Sequence, residues 1–342
     1  MSRISFIIIH FTIMFAIASA GYSQQNYFLT LSSTKARSIA MGSAYTAIED
    51  NIAATSYNPA ALSLYQSKKD YRLTFFLNPV GLSTMLAEQR QQNDNDQEHS
   101  NRALRSLSLL CKGIVFTGRF FDMAFVFNEQ VIDRNTIFHQ KQFFEDYDVW
   151  SNSYHTFATR VKFAEKVAIG AAASFYTKQA DDVKLQGFGF SYGILLKPAP
   201  YLNIGLAFID VPNKIPEIRI PLERIADQTM NIGVSFRPTS STILSLDIRN
   251  LTEEQQKSVR EAHFGFEQNI FSILALRGGF FQEKFSNNRT YSAGLALFDS
   301  NLMFSKESHF DHPHFILNYA FIHQTKDTGL FNWHILTLLI RI

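Results

Sequence analysis

From about residue 71 onward, apolar and polar residues alternate along segments of roughly ten, separated by turn chemistry. In residues 229–237, Met230, Ile232, Val234 and Phe236 share one face, with Asn231, Gly233, Ser235 and Arg237 opposite. Leu244, Leu246 and Ile248 likewise oppose Ser245, Asp247 and Arg249, and Ala262, Phe264 and Phe266 oppose Glu261, His263, Gly265 and Glu267. In residues 185–197 the apolar face is Phe188, Phe190, Tyr192, Ile194 and Leu196, against Gly187, Gly189, Ser191 and Gly193. Side chains alternate across a strand, so each segment reads as a strand with one apolar and one polar face. The small residues on the polar face read as room left in a lumen.

A soluble β-sandwich alternates too, so segment length and loop asymmetry have to decide. The pattern predicts about fourteen strands, near residues 71–80, 103–118, 122–132, 148–163, 166–178, 184–197, 201–210, 228–237, 242–250, 260–268, 272–283, 289–298, 302–322 and 332–342. The thirteenth is interrupted where His309, Asp311, His312 and His314 crowd around Pro313. Tight connections at 119–121, 164–165, 198–200, 238–241, 269–271 and 299–301 alternate with longer polar ones at 81–102, 133–147, 179–183, 211–227, 251–259, 284–288 and 323–331. Short turns at one end and longer loops at the other predict an all-β, antiparallel, transmembrane outer-membrane barrel.

Composition narrows this further. The 342 residues are 46% hydrophobic and 14% aromatic, with 33 Phe, yet mean hydropathy is only -0.07. A helical membrane protein needs apolar runs of about 20 residues, and none follows the N-terminus. The net charge of +2 does not suggest a nucleic-acid partner. At the N-terminus, Arg3, the apolar residues 4–17 and Ala18-Ser19-Ala20 form a signal-peptide pattern, with cleavage after Ser23 as the alternative. A transmembrane anchor is the competing reading, for which about 14 residues is short. No cysteine follows the apolar run to carry a lipid, and Cys111, the sole cysteine, reads as a small buried hydrophobe. The expected organisation is a signal peptide over 1–23, an N-terminal hatch over 24–68 and the barrel over 69–342, in the bacterial outer membrane with both termini periplasmic.

The hatch segment carries a recognisable motif. Residues 36–47 (ARSIAMGSAYTA) run through Asp50 and Asn51 to residues 57–62 (YNPAAL). This resembles the N-terminal signature of the PorV/PorQ family, within the wider FadL-like superfamily of outer-membrane barrels, with Ser43 and Ala61 standing where the family pattern has glycine. Residues 27–29 (YFL) resemble the PorQ branch. The order NIGVSFRP (231–238), LSLDIR (244–249), FGFEQ (264–268), LRGGF (276–280) and LNYAF (317–321) is similar to that family too. The resemblance covers residues 35–65 and most of 228–342. It implies a fourteen-strand barrel with a hatch in its periplasmic mouth.

Two roles follow from that resemblance. One is an accessory or interaction component of type IX secretion or surface attachment, with secretion or surface-attachment proteins as partners. The other is FadL-like passage of a hydrophobic or amphipathic ligand, for which loop 211–227 is the one apolar candidate collecting surface. Outer-membrane lipid is a partner under both.

The chemistry-bearing residues are few. Arg37, Met41, Gly42, Asp50, Asn58, Pro59 and Ala60 form the hatch motif: Gly42 suits close backbone passage and Asn58 before Pro59 a local turn. By parity Arg160, Lys162, Arg237, Arg249, Arg277 and Arg341 face the lumen, with Asp247, Glu261 and Glu267, since Arg or Lys at mid-bilayer costs about 2–4 kcal/mol. They read as a lumenal salt-bridge network, or, for Arg160, Arg237, Arg249 and Arg277, as contacts for a ligand carboxylate. No catalytic, dinucleotide or paired-cysteine metal motif is present, so neither enzyme nor cofactor is expected. The cluster 309–314 lacks helix-spaced ligands.

Overall fold

The computed structural model describes residues 26–30, 34–64, 71–79, 110–130, 152–163, 166–180, 183–210, 228–251, 260–270, 274–283, 289–297, 314–326 and 329–342. The signal-peptide reading, the loop candidate at 211–227 and the cluster 309–313 lie outside them. One short strand, β1 (Asn26–Thr30), precedes fourteen antiparallel strands. These are β2 (Tyr71–Leu77), β3 (Cys111–Gly118), β4 (Phe121–Gln130), β5 (Asn152–Phe163), β6 (Val167–Ala180), β7 (Val183–Ala199) and β8 (Leu202–Asp210). They continue as β9 (Gln228–Thr239), β10 (Thr242–Arg249), β11 (Glu261–Ile270), β12 (Leu274–Glu283), β13 (Arg289–Leu297), β14 (His314–Lys326) and β15 (Gly329–Arg341). Each pairs with its sequence neighbours, and β15 pairs with β2, so the sheet closes. At the closure Phe75 and Ile342 exchange both backbone hydrogen bonds at 2.9 Å. The ring of strands closes at that end, and β1 pairs the stretch 331–335 of β15 that β2 does not reach, in keeping with the rule that β structure spans hydrocarbon as a closed sheet.

The faces fall as the alternation requires. Phe188, Phe190 and Tyr192 are exposed at 62%, 56% and 53%, whereas Asp247, His263 and Glu267 are almost completely buried inside. A soluble monomer does not leave so broad an aromatic surface open to water. Tyr71, Phe120, Phe163, Tyr201, Phe236 and Phe315 gather on the exterior at the end with the tight turns, an aromatic girdle.

Two expectations shift, and the thirteenth barrel strand is described from His314, its expected part at 302–313 lying outside the described residues. The expected long loop at 323–331 is instead ladder: β14 runs to Lys326 and β15 resumes at Gly329. Its polar residues pair across strands, His323 Nδ1 with Asn332 Oδ1 at 2.8 Å and Gln324 with Thr290 at 3.1 Å, so polarity there does not mark a loop. Likewise β6 runs to Ala180 and β7 resumes at Val183, which shortens the expected 179–183 loop.

β1 was read with the hatch but joins the wall. It pairs in parallel with residues 331–335 of β15, while β2 meets β15 only at Ile340 and Arg341. The hatch proper, residues 34–64, lies within the lumen. Its one-turn helix α1 (Ala36–Ala40) ends because Gly42 and Ser43 both turn left-handed, at φ 61° and 59°. Two 3-10 turns follow, Ile52–Ser56 and Pro59–Ala61, each capped by an asparagine: Asn51 accepts from the Ala53 amide at 3.2 Å and Asn58 from the Ala60 amide at 3.0 Å. A bridge between Asp50 and Leu62 closes the segment on itself.

Candidate functional site

The interface between hatch and wall concentrates most of the buried polar chemistry. Glycines of the inner wall are where the hatch backbone rests, and of the small residues read from sequence as room in a lumen, Gly193 faces the Asn58 side chain. A Cβ on Gly279 would run into Met41 and Gly42, one on Gly205 into Thr46 and Ala47, and one on Gly170 into Pro59 and Ala60. The wall is therefore shaped to one path of the hatch chain, with backbone against backbone.

Charge fixes that path. Arg37 donates Nε and Nη2 to the two carboxylate oxygens of Glu267 on β11, each at 2.8 Å, and its Nη1 lies 3.2 Å from Asp50. Glu267 also takes Arg277 Nε at 2.6 Å, and Arg277 Nη1 donates to Asn318 at 2.6 Å. Tyr45 donates its hydroxyl to Asp50 and stacks obliquely on Tyr57, centroids 5.3 Å apart. Burial alone would depress the Arg37 guanidinium, but Glu267, Tyr45 and Asp50 outweigh it and hold Arg37 firmly protonated. Burial raises the Tyr45 phenol, and Asp50 raises it further, so it stays a neutral donor.

Neighbouring strands hold the hatch backbone directly. Asp247 Oδ2 accepts from the amides of Tyr45 and Thr46 at 2.8 and 2.9 Å and from the Thr46 hydroxyl at 2.7 Å. Arg249 donates to the Ser43 carbonyl and lies 5.2 Å over the Tyr57 ring. His263 bonds the Gly42 carbonyl through Nδ1 at 2.7 Å and Glu261 through Nε2 at 2.9 Å. Ser292 accepts from the Gly42 amide and donates to the Ala40 carbonyl, both at 3.0 Å. Asn58 spends its amide on Thr46 and Ile194 carbonyls at 2.8 and 3.2 Å.

The far side is held as well. Arg160 on β5 donates to the Leu62 carbonyl and reaches Glu49 at 3.0 Å and Asp122 at 3.6 Å. Lys197 meets Glu49 at 2.6 Å and Lys162 meets Asp122 at 3.0 Å. Where the hatch enters, Glu129 takes the Thr34 amide and hydroxyl at 3.1 and 3.0 Å and pairs with Lys112 at 3.2 Å. Of residues 34–64, only Glu49, Ser56 and Ser63 are more than slightly open to solvent.

All seven hatch-motif residues lie in this buried body. Of the four lumen arginines singled out from sequence, Arg160 and Arg249 bond to the hatch, and Arg277 bonds to Glu267, the hatch's own partner. Arg237 stands apart at the end of β9. Sequence reasoning did not single out Glu49, Lys112, Asp122, Glu129, Lys197 or Ser292. For Ser292 and Glu129 the signal was their inward parity, but parity alone does not say which inward residues meet the hatch. Among the described residues no group of three or more metal-ligating side chains gathers.

No protein-family model matches the chain, and no curated protein matches it. Among solved structures, the toluene transporter TbuX of Ralstonia pickettii aligns at 12% identity and TM-score 0.44, over 91% of this chain and 97% of that one. A Rhodopseudomonas blastica porin mutant, with four further substitutions beside E1M, aligns at 7% identity and TM-score 0.35, over 67% and 75%. Likenesses this remote carry no argument about function; the closed antiparallel sheet with its apolar exterior and bonded hatch makes the chain an outer-membrane-type β-barrel.

Proposed function

We propose that this is a plugged barrel of PorV/PorQ type that works through its mouths and loops, as an accessory component of type IX protein secretion or of surface attachment. The observation that carries the reading is the hatch bonded to opposite sides of the lumen, to Glu267 of β11 and to Arg160 of β5. Removing one partner of such a buried pair costs about 3–5 kcal/mol. A plug so held obstructs an axial route and leaves the exposed ends as the working surfaces. The motif of residues 36–62 is similar to that family and supports the same role.

FadL-like passage of a hydrophobic or amphipathic compound is the second reading, and one observation favours it. Residues 331–335 of β15, paired on one edge by β14, are paired on the edge facing β2 by β1 rather than by β2, so a segment outside the fourteen-strand order completes the wall there. One experiment separates the two readings: a pull-down from gently solubilised outer membranes, with lipids extracted from the same material. Co-purifying secretion or surface-attachment proteins without an enriched lipid support the first reading. A stoichiometric amphiphile without a partner protein overturns it in favour of the second.

A further inference from the structure

The mouth at the turn end holds more cationic groups than the hatch engages. Arg160, Lys162, Lys197 and Arg237 converge there from β5, β7 and β9, and among the described residues two carboxylates answer them, Glu49 and Asp122. Glu49 is taken by Lys197 and Arg160, and Asp122 by Lys162 and Arg160. Arg237 is near enough to act on Glu49 electrostatically, yet it makes no ion pair or side-chain hydrogen bond among the described residues, and its Nε is shut from solvent without an acceptor. A guanidinium carries five donors and no acceptor capacity, so an unanswered one under partial burial is costly.

The wall beside it repeats the deficit. Ser235, two positions along β9 on the same inward face, and Ser245, its register partner on β10, are nine-tenths or more buried. Both hydroxyls lack a hydrogen-bond partner. Asp247, further along β10, sets Oδ2 on the Tyr45 and Thr46 amides, and its Oδ1 is buried without a hydrogen-bond partner. Unanswered donors on one stretch of wall, within a cluster where cations outnumber carboxylates, call for an acceptor that brings negative charge. Arginine's planar fork matches the oxygens of a carboxylate or phosphate.

We propose that Arg237, with Lys197 across Glu49 and the Ser235 and Ser245 hydroxyls on the adjoining wall, forms an oxyanion site entered from the turn-end mouth. It takes a carboxylate or phosphate group, either on a free solute or on the headgroup of an anionic lipid of the facing leaflet. The site borders the hatch seat at Lys197, which also pairs with Glu49, and it stands whether the barrel serves secretion or transport.

The test uses the full chain purified in zwitterionic detergent, titrated with inorganic phosphate at constant ionic strength against chloride. Native mass spectrometry from mixed phosphatidylglycerol and phosphatidylcholine micelles is run in parallel. Among the described residues the Arg237 side chain makes no ion pair or hydrogen bond, and Arg237→Gln keeps its backbone bond to Tyr201, so the variant keeps the wild-type unfolding midpoint, and Arg119→Gln, on the exposed rim, serves as the control. Saturable phosphate binding that weakens tenfold or more in Arg237→Gln but not in Arg119→Gln supports the site with a free solute as its source. Retention of phosphatidylglycerol alone, lost in Arg237→Gln, supports it with the headgroup as source. Equal behaviour of Arg237→Gln and wild type, or no binding beyond chloride in either arm, overturns it.

Discussion

Arg37 and Glu267, 230 positions apart in the chain, meet in a two-pronged pair with both bonds at 2.8 Å, one residue on the hatch and the other on the wall. Each is held by a second charge as well, Arg37 by Asp50 and Glu267 by Arg277, so changing either alone leaves a buried four-charge cluster unbalanced. Arg37→Ala strips one partner from Glu267 and the ion pair from Asp50, and should destabilise the protein by about 3–5 kcal/mol. The midpoint of urea unfolding in micelles checks this. The double variant Arg37→Met/Glu267→Gln should recover part of the loss, since removing one charge of each sign leaves the cluster of Arg277 and Asp50 with no net charge.

Gly279 faces the Met41–Gly42 backbone where there is no room for a side chain. Gly279→Val should push the hatch off the wall while the barrel still forms, because that position occupies an inward site in an otherwise intact ladder. Limited proteolysis of folded protein in micelles should then cut within residues 34–64, which the wild type resists. An equally resistant variant would show that the hatch has slack at this contact.

Ser43 adopts φ 59°, a left-handed conformation that costs a residue with a side chain roughly 1–2 kcal/mol relative to glycine. Ser43→Gly should therefore raise stability, by about 1 kcal/mol after the added freedom of the unfolded chain is counted. The thermal midpoint should move up; a fall would mean that the Ser43 side chain makes a contact outweighing the backbone strain.

Glu49 responds to pH in a defined direction. Burial opposes its ionisation, but Lys197 and Arg160 overcome that and hold its carboxyl below the ordinary value of 4.5. A folded value below the unfolded one means its contribution is complete above the ordinary value and is lost as pH falls through the folded one. Hydrogen-exchange protection of the hatch should thus be level from neutral pH to about 5 and decline below that. In Glu49→Gln, protection should be lower at neutral pH, and this part of the decline should vanish.

Much of the barrel was legible from alternation alone. Arg237, Asp247 and Glu267 could be placed inside from parity because charge cannot face hydrocarbon, and Phe188, Phe190 and Tyr192 outside for the converse reason. The hatch motif could be located, and Asn58 before Pro59 read as a turn. Its partners could not be read. Asp247 meets the Thr46 amide across 201 positions, and which of the inward residues lies over which hatch amide depends on the stagger of all fourteen strands. The glycines show the same gap: a polar-face glycine looks like empty lumen until the backbone it receives is known. The residues around 323–332 misled for a local reason. His323 and Gln324 look like loop residues, but side-chain hydrogen bonds to Asn332 and Thr290 keep them in the ladder.

A lumen obstructed by a bonded hatch is tested most directly by planar-bilayer conductance of the purified protein. The wild type should show no steady channel, and Arg37→Ala or Gly279→Val should open discrete conductance steps. A steady, ohmic, porin-like conductance in the wild type, unchanged by either substitution, would contradict it.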